Sequence, residues 1–405
     1  MKHLRTALVV AALSTLGPFS TDTYFPSFPV LATHFGVSEI QMQSMLSWYL
    51  VALAGMNLFH GALSDSFGRQ RVILAALGIY TTTTLACAVA PSFGWLVALR
   101  TVQGLAAGAG MIVGRAVIRD LFPGTEAQKL MAQAAMLAGL GPVIAPVVGG
   151  WLHVWFGWRG PFVFLGLLGA VLGCACRFGL PESLPAHLRQ SFHPGNLFRA
   201  YIETIRDPAF VLSCLALAFG GGGFLLYVAT APDMVLNILK LSETQFAWLF
   251  VPIISGLVLG SAATSRLAGR LPPSPFVQCG FVVMGLGVLI NLAVNHWLTP
   301  RVPWTVLPLT VYTFGFSLVA PVVTIEGLDL FPRRKGLAAS VQGFTHIVVF
   351  AVVAAWVAPL VYRPGSKHAV GLALFMGLSG VCYLGFKLQR AAATQTELTG
   401  CPQRR

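Results

Sequence analysis

Charge is scarce in this chain, and acid is scarcer still. Only 10% of the 405 residues are charged, and 13 of them are Asp or Glu against 26 Lys and Arg. A soluble domain carries about 25% charged residues, so composition excludes an ordinary water-soluble fold. A nucleotide-binding loop is also missing. Gly220-Gly221-Gly222-Gly223 lies in an apolar run with no Lys-Ser/Thr after it, which reads as flexible or closely packed helix rather than a phosphate cradle. The seven cysteines show no metal spacing, and Cys174-Ala175-Cys176 is too tight for a structural zinc knuckle. No cluster of acids, His or Ser has the spacing of a catalytic or metal site. These absences imply no enzyme, no resident metal and no cofactor.

What remains is apolar sequence. Hydrophobic residues make up 56% of the chain, with a mean hydropathy of +0.76. A membrane-crossing helix needs about 20 such residues. The expected spans are 6–31, 43–63, 72–90, 94–118, 129–152 and 161–180, then 209–235, 244–265, 275–296, 302–326, 336–361 and 368–388. Lys2 and Arg5 precede the first run, but no small-residue cleavage site follows, so a retained helix is expected. The net charge of +13 is no nucleic-acid signal. Most Lys and Arg fall on one side of the spans; Arg159, Lys240, Arg301, Arg363 and Lys367 fall opposite. That bias places both termini in the cytoplasm. The reading is an all-α membrane protein of 12 helices in a bacterial inner membrane.

The chain divides in two. Residues 181–208 start with Pro181-Glu182-Ser183-Leu184-Pro185 and continue polar and basic, as expected of a cytoplasmic linker. It would join six-helix bundles at 1–180 and 209–390, with a tail at 391–405. Asp120-Leu121-Phe122-Pro123 after span 4 recurs as Asp329-Leu330-Phe331-Pro332 after span 10, and Gly68-Arg69 recurs as Gly269-Arg270. Two pseudo-symmetric halves with a midplane site between them are one plan for a transporter.

Asp22 stands out against this background. A carboxylate near the bilayer centre costs about 2.5–3.5 kcal/mol on insertion scales, and marks an ion or substrate path by default. Span 1 runs outward and span 4 inward, so Asp22 and Arg100 should differ in depth by only about 5 Å at ~1.5 Å per residue. They are expected to face one cavity, each offsetting part of the other's burial cost. Asp233, near the outer end of span 7, is expected to be exposed. His60 and His346 read as packed residues rather than proton relays.

Gly61-Ala62-Leu63-Ser64-Asp65-Ser66-Phe67-Gly68-Arg69-Gln70-Arg71 resembles the signature loop of the major facilitator superfamily. Arg100-Thr101-Val102-Gln103-Gly104 resembles that family's span 4 motif. Gly139 to Gly150, with Gly141, Pro142, Pro146, Gly149 and Gly150, is similar to the antiporter motif of its drug-exporting branch. Asp22-Thr23-Tyr24-Phe25-Pro26 and Arg115-Ala116-Val117-Ile118-Arg119-Asp120 resemble elements of Bcr/CflA-type drug:proton antiporters, a group that includes florfenicol and chloramphenicol exporters.

The resemblance implies an exporter of drugs or small amphipathic metabolites, driven by protons through alternating access and working as a monomer. Asp22 would carry the proton and Arg100 modulate it. Asp65, Gly68, Arg69, Arg115, Arg119 and Asp120 would form a gate. Tyr24, Trp48, Tyr49, Phe224 and Tyr227 belong to spans that line the cavity in relatives, and are candidate substrate contacts. Multidrug relatives carry a glutamate where this chain has Ser14, so Asp22 is the only acid deep in the first half. Glu326, at the end of span 10, is a secondary proton candidate or a gate partner of Arg333 or Arg334. A transporter of one specific metabolite is the alternative, and a membrane sensor a remote one.

Overall fold

Proline decides where the first helix ends. In a computed structural model of the chain, helix α1 (Lys2–Asp22) stops at Asp22. Pro26 has no N–H to give the carbonyl four residues back, and that carbonyl belongs to Asp22. A 3₁₀ turn (Phe25–Ser27) and a short α2 (Phe28–Phe35) complete the span. The structure describes residues 2–122, 124–189, 193–267, 272–332, 334–362 and 364–399.

Helices α3 (Glu39–Phe67), α4 (Arg69–Cys87), α5 (Phe93–Ala107), α6 (Ala109–Leu121), α7 (Gly124–Phe156) and α8 (Arg159–Gly179) follow. Then come α9 (Pro194–Ile205), α10 (Pro208–Ala229), a π turn (Asp233–Ile238), α11 (Ala247–Leu267), α12 (Pro273–Trp297), α13 (Leu307–Leu328) and α14 (Lys335–Val352). A second π turn (Val353–Val357), α15 (Ala358–Val361) and α16 (Gly365–Thr399) end the chain. No strand occurs among the described residues.

Ten of these helices or helix pairs are long and apolar enough to cross a membrane, with α5–α6 and α14–α15 each acting as one rod. Helices α1 and α4 have membrane length, at 21 and 19 residues. Their composition is more polar: α1 carries Lys2, Arg5 and Asp22, and α4 carries Arg69, Arg71 and four successive threonines from Thr81.

The duplication shows in which helices touch. Helix α1 contacts α7 and α8, α3 contacts α5, and α4 contacts α5 and α8. Six spans later, α10 contacts α14 and α16, α11 contacts α13, and α12 contacts α13 and α16. The two main contacts between halves, α3 with α14 and α7 with α11, exchange under the same shift. Each half therefore repeats the other's internal arrangement, and the seam between them has its own two-fold relation.

One element was not expected. The linker contains α9, whose Tyr201 is buried against Phe210, Ala338 and Val341 of the second half. Tyr201 Oη also donates to the Leu58 carbonyl of α3 at 2.8 Å, so the linker helix is tied to both halves. We refer to the end bearing α9 as the linker face and to the opposite end as the distal face. Arg270, Arg333, Arg363 and Pro123, named in the sequence reading, lie outside the described residues, as does Gly269.

Candidate functional site

A cavity of about 340 Å³ lies between the halves at mid-height. Asp22 lines it and is 3% exposed. From the first half, Ser14, Pro18, Thr21, Leu50, Asn57 and Pro142 share the wall. The second half presents Phe224, Phe250, Ile254, Ile347 and Phe350. Asp22 is the only ionisable side chain among the described lining residues, and no cation among the described residues lies within ion-pair distance of it. The first-half wall thus carries Ser14, Thr21, Asp22 and Asn57 among apolar residues, with a single acid; the second-half wall is apolar and aromatic.

Arg100 is elsewhere. It is 0% exposed, donates to Tyr24 Oη and Gln103 Oε1, and sits between two rings, 4.3 Å from the centroid of Tyr24 and 4.2 Å from that of Tyr49. The network continues from Gln103 Nε2 to Thr84 Oγ1 at 2.5 Å. Nearby, Ser20 Oγ and Tyr80 Oη share a hydrogen bond of 2.6 Å. The shared cavity expected for Asp22 and Arg100 is therefore replaced by two sites on opposite sides of α1. Two positions along a helix rotate it by about 200°. Ser20 faces Tyr80 beside the arginine network, and Asp22 faces the cavity. Azimuth separates the pair.

The same geometry corrects the aromatic candidates. Tyr24 is stacked with Phe28 and Phe162 and completely buried, and Tyr49 lies under Arg100. Tyr227 donates to Asn291 Oδ1 at 2.8 Å, behind the cavity. Trp48 is 54% exposed on the outer surface of α3. Of the five, only Phe224 lines the cavity. Asn57 was missed. It borders both the central cavity and a second one of about 700 Å³ at the linker face, and its Oδ1 is buried without a partner. An amide in an otherwise apolar stretch of α3 was the available signal.

The linker-face cavity is bordered by Asp65, Arg69 and Arg119. Arg69 donates to Asp65 Oδ1, to Ser64 Oγ at 2.7 Å and, through Nε, to Asp120 Oδ2 at 3.1 Å. Its backbone N–H donates to Glu182 Oε1 at 2.8 Å. Gly68 has φ +100°, and a Cβ there would collide with the Glu182 carboxylate, so glycine is required by both backbone and space. Ser183 adds a donor to Asp120 at 2.9 Å. The signature loop thus joins the ends of α3, α4, α6 and the linker. Arg115 points outward on α6 and makes no ion pair among the described residues.

Of the two gate partners expected for Glu326, Arg334 is not one, and Arg333 lies outside the described residues. Lys387 of α16 holds the Glu326 carboxylate at 2.7 Å, with Arg390 at 4.0 Å. Arg334 instead pairs with Glu203 of α9 at 2.8 Å, which holds that exposed carboxyl below its ordinary range. Asp233 is buried rather than exposed, at 1%, and its carboxylate accepts from Asn237 Nδ2 at 2.9 Å.

Helix α7 clamps α1. A Cβ on Gly141 would lie 2.6 Å from Pro18 Cβ, and one on Gly149 would strike the Thr23 carbonyl. Gly150 makes the same kind of approach to the Glu243 backbone of the second half. Gly139 in the same helix has open space. Gly149→Ala is therefore expected to cost about 1–3 kcal/mol, as overpacking does, while Gly139→Ala is neutral. Melting of the two purified variants, followed by tryptophan fluorescence, tests this; equal midpoints would remove the clamp.

The pattern of the Major Facilitator Superfamily matches residues 10–358. The chain is 26% identical over 362 residues to the "Bicyclomycin resistance protein homolog" of Haemophilus influenzae, covering 87% of this chain and 88% of that one. It is 28% identical over 358 residues to the "Chloramphenicol resistance protein CraA" of Acinetobacter baumannii, covering 86% and 85%. Among solved structures, a bacterial homolog of the human lysosomal transporter Spinster, captured inward-facing and unoccupied, superposes with a TM-score of 0.73 at 17% identity over 98% of both chains. That likeness concerns the fold.

Proposed function

Since the chain belongs to the Major Facilitator Superfamily, we propose that it is a proton-driven exporter of drugs or amphipathic metabolites. It would work as a monomer in a bacterial inner membrane, with the linker face and both termini in the cytoplasm. The observation that carries this reading is the cavity between the halves, with one buried acid facing an aromatic wall. The resistance named for its relatives supplies the substrate class.

Three groups of residues divide the work. Asp22 takes up and releases the coupling proton. Phe224, Phe250 and Phe350 provide apolar contact, which discriminates weakly because one methylene is worth ~1–3 kcal/mol. The Asp65–Arg69–Asp120 cluster holds the linker-side ends of the first half together in one state of the cycle. Alternating access then follows from rocking the halves about the α3–α14 and α7–α11 contacts.

The test is efflux from proteoliposomes under an imposed pH gradient, with phenicols, cationic dyes and quinolones as probes. Transport that is indifferent to the gradient would overturn proton coupling. A single carboxylate also predicts a charge rule, with one proton entering for each substrate leaving. Export of a neutral phenicol then moves net charge and responds to membrane potential. Export of a monocation follows the pH gradient alone, and a dication is exported poorly. Clamping the potential with valinomycin at a fixed pH gradient distinguishes these. Strong dication export would require a second titrating group.

A further inference from the structure

The central cavity has almost nothing to donate with. The polar side chains of its described lining are Ser14, Thr21, Asp22 and Asn57. Ser14 Oγ donates to the Val10 carbonyl at 3.0 Å, and Thr21 Oγ1 to the Pro18 carbonyl at 2.9 Å. A hydroxyl has one proton to give, and an ionised carboxylate has none. Asn57 is left as the side-chain donor of the described lining whose protons are uncommitted.

The fold holds this amide in place without bonding it. Its Oδ1 is buried and has no hydrogen-bond partner. The side chain lies over Gly108, at the joint between α5 and α6, where a Cβ would strike Oδ1. With Oδ1 turned into that notch, Nδ2 is left to the spaces that Asn57 borders, and these are the two cavities. An unpaired amide inside a membrane span is costly. Polar residues kept there at such a cost mark a substrate path by default.

Its position lies on such a path. At the distal face, Gln43 Nε2 of α3 donates to the Ala229 carbonyl at 3.1 Å and to Tyr362 Oη at 2.7 Å, which ties the halves together. The larger open space is at the other end. Asn57 is the described residue that borders both the central cavity and the linker-face cavity of about 700 Å³. It precedes Asp65 by eight residues in the unbroken helix α3, about 12 Å at ~1.5 Å per residue. The way from the Asp65–Arg69 cluster to the aromatic wall passes this amide.

We propose that Asn57 selects substrate by donating from Nδ2 to a neutral hydrogen-bond acceptor, such as an amide carbonyl or a nitro oxygen, at the linker-side end of the central cavity. The inference deepens the exporter reading and rests on it. Asp22 in its ionised form cannot serve such a group, because it offers only lone pairs. The pocket then has separate partners for separate drugs. Asp22 answers a cation, Asn57 answers a neutral acceptor, and the rings of Phe224, Phe250 and Phe350 are common to both.

The experiment compares two probes in equilibrium binding to the purified full-length chain in lipid nanodiscs. Chloramphenicol carries amide and nitro acceptors and no charge. Tetraphenylphosphonium carries a charge and no acceptor. Asn57→Leu is close in size, suits a helix and removes the donor. Chloramphenicol affinity is expected to fall about 3–10-fold, the worth of one hydrogen bond, while tetraphenylphosphonium affinity changes by less than about twofold. Asn57→Met serves if the Leu protein does not fold, with the same contrast expected. A merely structural amide would weaken both probes together, so an equal loss overturns the proposal, and so does unchanged chloramphenicol binding. A wild-type chain that binds neither probe overturns the exporter reading and the proposal with it. Drug efflux that ignores the proton gradient, with the contrast between probes intact, overturns proton coupling alone.

Discussion

An Asp22→Asn protein is expected to reach the membrane, bind its drug and fail to pump it. The amide keeps the size and most of the hydrogen bonding of the carboxyl, so the wall of the central cavity keeps its shape. What it loses is the one group in that wall able to carry a proton. Efflux driven by a pH gradient is expected to fall to the level of empty vesicles, while equilibrium binding of a neutral drug changes by no more than a few-fold. Burying a carboxylate at mid-membrane costs about 2.5–3.5 kcal/mol on insertion scales. The Asn protein should therefore melt at or above the wild-type temperature. A variant that pumps with the normal pH dependence would remove Asp22 from coupling. One that simply unfolds would show that the residue is structural.

Arg100→Ala has the opposite signature. The guanidinium holds two tyrosine rings and supplies the protons that Tyr24 Oη and Gln103 Oε1 accept. A desolvated cation–π contact is worth about 2 kcal/mol or more, and each buried polar atom left unpaired costs about 1–3 kcal/mol. A large fall in melting temperature is expected, with transport lost in proportion to folded protein. Arg100→Lys keeps the charge but not the planar fork, so it should lie between Ala and wild type and retain the pH profile of efflux. If Arg100→Ala melts normally yet its efflux shows a displaced pH profile, the residue tunes coupling rather than bracing α1.

The all-helical class and the family were legible because hydropathy and contiguous motifs are linear signals. The Gly68–Arg69 loop was recognisable because its residues are contiguous. Asp22 was legible because a carboxylate in an apolar run is costly wherever it points. The failures concern direction. Tyr24, Tyr49 and Tyr227 lie in spans near the cavity but face away from it, and no spacing in one helix reveals what stands behind it. Arg100 bonds Tyr24 and does not line the cavity that Asp22 faces. Asp233 was misplaced because nothing in the sequence of span 7 reveals that its outer end is covered in the fold. Asn57 required knowing that two cavities meet at α3.

The unlike walls of the central cavity define a substrate by what it joins. The acid belongs to one half and the aromatic rings to the other. A molecule with a polar head and an apolar body touches both and can draw them together. A purely greasy solute leaves the acid without a partner, and a small ion leaves the rings uncovered, so neither satisfies both halves. Selection would then act less on molecular shape than on bifunctionality, which is how one pocket could admit chemically unrelated antibiotics and still refuse most of the lipid around it.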